Sequence, residues 1–230
     1  MSRKLYELVG ADPARRFSPY CWMTRMALAH KGLDAESIPW RFTEKAAIAP
    51  HGSEKVPVLL DGDRAVADSW TIATYLEDAY PDRPSLFGGE GGRAMARLIR
   101  SMGELMVANI ATFIVADVHS HLGPEDQAYF RQSREARFGK PLEVVVADRD
   151  ARVEAFRKSL DPLRLMLRAQ PFVGGERPNY ADYTFFGPLQ WSRAISPFKL
   201  LDANDPVYAW RERMLDAFGG LARQSPGYAL

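Results

Sequence analysis

Apolar residues recur along this chain with two different periods, and the change from one to the other divides it in two. In the first part, short apolar runs alternate with helical stripes. Lys4 to Val9 is a strand candidate, followed by a polar turn through Gly10, Asp12 and Pro13 and then by Phe17-Ser18-Pro19-Tyr20-Cys21-Trp22. From there Trp22, Met26, Ala29 and Leu33 fall at the i, i+4, i+7, i+11 spacing of a buried helical face. Serine is a favoured N-cap and proline is pre-set for the first helical position, so the pattern predicts a helix opening at Ser18 and ending near Gly32. Ala35 to Trp40 reads as a second strand, and two strands separated by a helix imply a parallel pair with a right-handed crossover. Thr43 to Ala49 is a weak helix closed by Pro50 and Gly52. Asp61-Gly62 between Val58-Leu59-Leu60 and Ala65-Val66-Ala67 predicts an antiparallel hairpin. Pro57 cannot donate to a strand ladder, so it belongs at an edge or a special turn, and the residues alone do not choose the isomer of the Val56-Pro57 bond. Asp68-Ser69 then caps a helix with Ile72, Tyr75, Leu76 and Ala79 on its apolar stripe. Residues 1 to 80 thus spell βαβαββα.

Breakers gather from Tyr80-Pro81 through Gly88-Gly89-Glu90-Gly91-Gly92, which makes 81 to 92 a linker. The glycine cluster has neither the Lys-Ser/Thr of a P-loop nor the strand-to-helix setting of a dinucleotide site. From Arg93 to the end the periods are helical. Met95, Leu98, Met102 and Leu105 form one stripe of a long helix and Ile99, Met106, Ile110 and Phe113 the adjacent one, so the helix is expected to be mostly buried. Further helices are expected over Gln127 to Phe138, through Val153, Phe156, Leu160, Leu163 and Leu167 with a restart at Asp161-Pro162, after an Asn179-Tyr180-Ala181-Asp182 capping box, and from Asp205-Pro206 with Val207, Trp210, Met214 and Phe218 on one side. The pattern therefore predicts an α/β domain followed by an all-helical one.

Composition adds bounds. The 230 residues are 47% hydrophobic and 26% charged, enough for a substantial core, and 30 basic against 29 acidic residues give no footprint for nucleic acid. A single cysteine excludes an intrachain disulfide, and with a Met-Ser-Arg-Lys start lacking an apolar segment it fits a reducing cytoplasm. The most apolar helical stretch, Leu105 to Val118, is too short to span a bilayer, so no membrane segment is expected.

The candidate chemistry begins at Ser18. A hydroxyl beside the free N–H groups of a helix N-terminus suits an anion, although an ordinary helix cap has the same sequence. Cys21 stands one turn inside the helix, where a buried, inert thiol is expected. His119 and His121 point to different faces of a helix, so no metal site is expected from them.

Ser18-Pro19-Tyr20-Cys21, Lys55-Val56-Pro57-Val58-Leu59, Asp68-Ser69 with Ile72-Ala73 and Tyr75-Leu76, Tyr80-Pro81, and Asn179 with Asp182-Tyr183 occur here in one order. In that order they resemble the glutathione S-transferase superfamily over nearly the whole chain, most of all its bacterial β-etherase-type branch. The resemblance implies a thioredoxin-like N-terminal domain and a helical C-terminal one, and a cis Val56-Pro57 bond that turns the Val56 backbone toward glutathione. It implies Ser18 as the activating hydroxyl, with Asp68 and Ser69 on the γ-glutamyl end. Lys55, Lys45 and His51 are then candidates for the glycine carboxylate. Asp68 is shorter than the Glu or Gln common at that position. Tyr20, Phe113 and Trp191 could wall a pocket for a second substrate, and Asn109 and Thr112 could contact it, or all five could be structural. The implied activity is attack of glutathione thiolate on an apolar or aromatic electrophile, including aryl-ether cleavage, by a homodimer without metal. The alternatives are thiol transfer or dehydroascorbate reduction through Cys21, and a binding protein without turnover.

Overall fold

The computed structural model describes residues 2–229. Four strands, β1 (Arg3–Leu8), β2 (Glu36–Trp40), β3 (Val58–Asp61) and β4 (Arg64–Ala67), form one mixed sheet in the order β2-β1-β3-β4. β1 runs parallel to β2 and antiparallel to β3, with Leu5 opposite Ser37 and Leu59. The β3–β4 hairpin pairs Leu59 with Val66 around the expected Asp61-Gly62 turn. Helices α1 (Pro19–His30) and α2 (Ser69–Ala79) accompany the sheet. The weak helix expected over Thr43 to Ala49 is replaced by two three-residue 3-10 turns, Lys45–Ala47 and Ala49–His51. Pro50, inside the second turn, has no N–H with which to continue an α-helical ladder. The Val56-Pro57 bond is cis.

The second domain contains α3 (Glu90–Ser120), α4 (Pro124–Phe138), α5 (Leu142–Val146), α6 (Arg149–Ser159), α7 (Asp161–Ala169), α8 (Tyr180–Ile195) and α9 (Pro206–Gly220). α3 starts at Glu90, inside the stretch read as a linker. A Cβ on Gly92 would lie 1.8 Å from the Phe87 carbonyl oxygen, so this glycine permits the first turn of the helix rather than breaking it. α6 and α7 restart at Asp161-Pro162 as the sequence indicates, whereas the short α5 was not anticipated.

α8 is the spine. All its residues except Trp191 and Arg193 are buried, and it packs chiefly on α1 and α3. Its capping box is formed, and the Asp182 carboxylate also accepts from the N–H groups of Val173 and Gly174 and from Trp210 Nε1 at 2.7 to 2.9 Å. A Cβ at Gly187 would sit 2.5 Å from the Pro19 carbonyl oxygen, so glycine lets α8 press directly against the first turn of α1. That contact ties the helical domain to the turn that carries Ser18.

Two expectations need correction. α3 is not mostly buried: Met106, Ile110, Phe113 and Ile114 are, but Met95, Leu98, Met102 and Leu105 are 37 to 71% exposed. The helix is also longer than the apolar stretch read from the sequence. Its length and composition would suffice to cross a membrane, while its contacts with α5 and α8 place it in the helical layer. On α9, Val207, Trp210 and Met214 are buried, but the helix breaks at Ala217, and Phe218 has φ 54° and is 38% exposed.

Candidate functional site

A cavity of about 470 Å³ opens between the sheet end of the first domain and helices α3, α4 and α8. Ser18, at its floor, is the N-cap of α1: its Oγ accepts from Cys21 N–H at 3.3 Å, and Pro19 occupies the first helical position. The residue is 4% exposed, yet it lines the cavity. An N-cap oxygen that accepts from the helix still has its own proton to donate, so Ser18 can offer a hydrogen bond to an anion above it. No histidine lines the cavity among the described residues. Cys21, three residues on, is fully buried. Burial, with the Glu7 charge adding to it, pushes its thiol up to about 12 against the hydrogen bond from Ser18.

Tyr20 and Trp191 line the same cavity, as do Val56, Lys45 and Lys55. Val56 lies outside the β3 ladder, and its N–H and C=O make no backbone hydrogen bond among the described residues. Lys45 Nζ is 3.9 Å from the exposed Glu54 carboxylate and 5.5 Å above the Tyr129 ring. Tyr20 donates its hydroxyl to Glu104 on α3 at 2.6 Å; burial and this acceptor raise its pKa, which keeps the phenol protonated.

Four of the expected residues lie outside the cavity lining. Phe113 is 2% exposed and packs against Phe156 and Phe198 at 5.5 and 5.9 Å, in the core of the helical domain. Asn109 faces a separate groove with Met102, Leu105 and Phe156. The α3 stripe that meets the Ser18 cavity is Glu104, Val107, Ala108, Ala111, Val115 and Val118, and at about 100° per residue Asn109 lies to one side of it. Thr112 is tied to the Asn109 carbonyl and to Arg152. His51 packs on Tyr6 at 5.8 Å and is outside the cavity lining.

Asp68 and Ser69 stand at the start of α2, outside the cavity lining. Ser69 is 1% exposed, its Oγ 4.0 Å from Met23 Sδ, and its carbonyl accepts from Tyr180 Oη at 3.0 Å. Pro57 is buried, and its carbonyl accepts from the Asp68 N–H at 3.3 Å. Asp68 has φ 75°, a conformation rare for a residue with a Cβ and one that persists only where surrounding contacts hold it. Its Oδ1 caps α2 by accepting from the Trp70 and Thr71 N–H groups at 3.0 Å, while Arg100 of α3 reaches both carboxylate oxygens at 3.3 and 3.1 Å. Burial alone would raise this carboxyl; the Arg100 and Thr71 bonds hold it below its ordinary value. Arg100 also approaches Glu104 at 3.7 Å, so Asp68, Arg100, Glu104 and Tyr20 form one polar chain from α2 to the cavity wall.

The sequence reading passed over Arg100, and also over Glu104 and two arginines of α4, Arg134 and Arg137, all three of which line the cavity. The available signal was positional: Phe130, Arg134, Arg137 and Phe138 share one helical face.

Residues 17–79 match the model of the glutathione S-transferase N-terminal domain, and residues 94–211 match that of the C-terminal domain. The chain belongs to the glutathione S-transferase family. The glutathione S-transferase-like protein ustS of Aspergillus flavus is 32% identical over 164 residues, a match covering 65% of this chain and 55% of that relative's length. Glutathione S-transferase U13 of Arabidopsis thaliana is 28% identical over 85% of this chain and 82% of its own. Among solved structures, glutathione transferase GSTFuA3 from Phanerochaete chrysosporium superposes with a TM-score of 0.77 at 26% identity, over 97% of this chain and 94% of that one. A Ceriporiopsis subvermispora glutathione S-transferase in complex with glutathione shares the fold, with a TM-score of 0.83 at 22% identity over 95% and 96% of the two chains. In this member of the family the resemblance carried by Ser18, Val56, Asp68 and Asn179 therefore extends across both domains.

Proposed function

We propose that this transferase binds glutathione as the thiolate at Ser18 and directs it at an electrophile held in the cavity under α3, α4 and α8. The observation that carries the reading is Ser18 itself, a hydroxyl at the N-terminus of α1 that lines the cavity and has a proton a bound sulfur could accept. A donor and a helix N-terminus both favour the thiolate over the thiol, and each unit of thiol pKa lowering corresponds to about 1.4 kcal/mol of preferential thiolate binding. The thiol proton leaves to solvent. The sulfur then forms a C–S bond to the electrophilic carbon, and the leaving group, a halide or an aryloxide in the case of aryl-ether cleavage, departs with the bonding pair.

The peptide would lie along the unpaired Val56 backbone, as an added strand pairs with an edge. Asp68 would share Oδ2, which also accepts from Arg100, with the γ-glutamyl ammonium group while Oδ1 remains committed to the helix cap. Ser69, in the first turn of α2, marks the helix end for the γ-glutamyl carboxylate; its backbone N–H is the donor this requires, because the hydroxyl is directed toward Met23. Lys45 and Lys55, cations lining the same cavity as Ser18, would receive the glycine carboxylate. The exposed Met95, Leu98, Met102 and Leu105 of α3 supply an apolar stripe for two-fold association. The single buried, reduced thiol fits a reducing compartment such as the cytoplasm.

Burial of Cys21 argues against thiol transfer, because exchange needs an accessible thiolate. Steady-state conjugation of an activated aryl halide tests the assignment. Ser18→Ala should lower turnover at neutral pH by about 10 to 100-fold, the scale of one charge-assisted hydrogen bond, and Cys21→Ala should leave it largely intact. Loss of activity in Cys21→Ala with no effect of Ser18→Ala would reverse the assignment.

A further inference from the structure

Four side-chain cations, Lys45, Lys55, Arg134 and Arg137, line the Ser18 cavity, against two carboxylates, Glu54 and Glu104. Both carboxylates already have partners: Glu54 faces Lys45 at 3.9 Å, and Glu104 accepts from Tyr20 at 2.6 Å beside Arg100. Arg134 and Arg137 of α4 have no such answer. Arg134 is half-buried, donates to Ser133 Oγ at 2.9 Å and lies over the Phe130 and Phe42 rings at 4.6 and 5.5 Å. Neither Arg134 nor Arg137 forms an ion pair with an acid among the described residues, whereas Arg131 of the same helix is held by Glu135 and Glu143 at 2.8 Å each. Stacking on rings leaves most guanidinium donors unused, and a partly desolvated cation without an anion is costly. Three residues apart, the two arginines lie on one face of α4, the face turned to the cavity. Their surroundings are aromatic, with Phe42, Tyr129, Phe130, Phe138 and Trp191 around the same space.

We propose that the electrophile bound here is an aromatic carboxylate, its ring held among these aromatic side chains and its carboxylate received by Arg134 and Arg137. The planar guanidinium fork matches a carboxylate in a way a lysine ammonium does not. Lys45 and Lys55, contributed by the first domain, remain for the peptide's own carboxylate. The chemistry at the reacting carbon stays that of the proposed transferase reading, on which this inference rests. The anionic group sets which electrophile is selected.

The test compares 4-chloro-3-nitrobenzoate with 4-chloro-3-nitrobenzamide as electrophiles, and unreactive benzoate with benzamide as calorimetric ligands of the glutathione-loaded protein. Wild type should bind benzoate at least about tenfold more tightly than benzamide, as expected for a charge-assisted contact. Arg137→Gln and Arg134→Lys should each reduce that ratio and the carboxylate-to-amide ratio of kcat/KM; the first removes an exposed charge and the second keeps charge while removing the fork. Arg137 is at the surface, so its variant tests the claim even if Arg134→Lys folds poorly. Equal affinity for benzoate and benzamide in wild type would overturn the proposal. So would variants that raise the KM for glutathione equally with both electrophiles, since the arginines would then serve the peptide. Absence of conjugation with either electrophile would defeat the transferase reading alone, because the calorimetric preference reports the arginines independently of turnover.

Discussion

Ser18 and Cys21 are separated by less than one helical turn, yet their environments give them different chemistry. Ser18 faces the cavity from the N-cap, while Cys21 is fully buried with its thiol pushed up to about 12. Asp68 combines three tasks at one strained residue: helix cap, partner of Arg100, and proposed acceptor for the glutathione ammonium group. Asp68→Asn keeps a capping oxygen but removes the charge. Titration calorimetry should show glutathione binding weakened by about 1.5 to 3 kcal/mol, the worth of a charge-assisted hydrogen bond. Unchanged affinity would leave Asp68 as a cap and nothing more. At this scale the sequence was most legible where a residue's role is local. Ser18 as an N-cap follows from serine, proline and the stripe behind them. Phe113 and Asn109 were placed wrongly because each sits on a helix with two apolar stripes, and periodicity does not say which stripe meets a cavity. Arg134 and Arg137 were overlooked because charges on a helix ordinarily belong to its solvated side.

Elements are joined by buried polar contacts that local patterns do not reveal. Lys31, at the end of α1, is 1% exposed and pairs with Glu77 of α2 at 2.6 Å, and Glu77 also accepts from Ser85 and from the Leu86 N–H in the connection to α3. Burial would raise the Glu77 carboxyl, but the bonds from Lys31, Ser85 and Leu86 hold it below its ordinary 4.5. A carboxyl depressed in the folded state contributes stability above its unfolded pKa and loses it as pH falls through the folded one. Glu77→Gln should therefore cost about 3 to 5 kcal/mol near neutrality, the scale for leaving one member of a buried pair alone. The gap from wild type should narrow as pH drops below 4.5. Urea unfolding at several pH values measures this, and a pH-independent gap would show that the charge pair is not its source. The capping box at Asn179 was readable from four residues, but the further Asp182 bonds to Val173, Gly174 and Trp210 depend on tertiary placement. The same holds for Asp126 at the start of α4, which accepts from Thr43 N–H and Oγ at 3.0 Å and so fixes the helix carrying Arg134 and Arg137 over the first domain.

For the whole molecule, the division into a sheet domain and a helical domain was legible because the hydrophobic period itself changes along the chain. The course of α3 was not, since Gly92 reads as a breaker until the Phe87 backbone is seen to occupy the space a side chain would take. The exposed stripe of that helix leads to a prediction about assembly. Sedimentation should show a dimer at micromolar concentration, and Leu98→Glu, which puts a charge among Met95, Met102 and Leu105, should shift the protein toward monomer; a wild-type monomer would remove the claim. The central claim is that Ser18 stabilises the thiolate of bound glutathione, and the ultraviolet thiolate absorbance of the glutathione complex, followed against pH in wild type and Ser18→Ala, tests it most directly. The account predicts that wild type titrates below the free thiol and that Ser18→Ala shifts the curve upward by about one to two units, with turnover partly recovering at high pH. Coincident titration curves for the two proteins would contradict it.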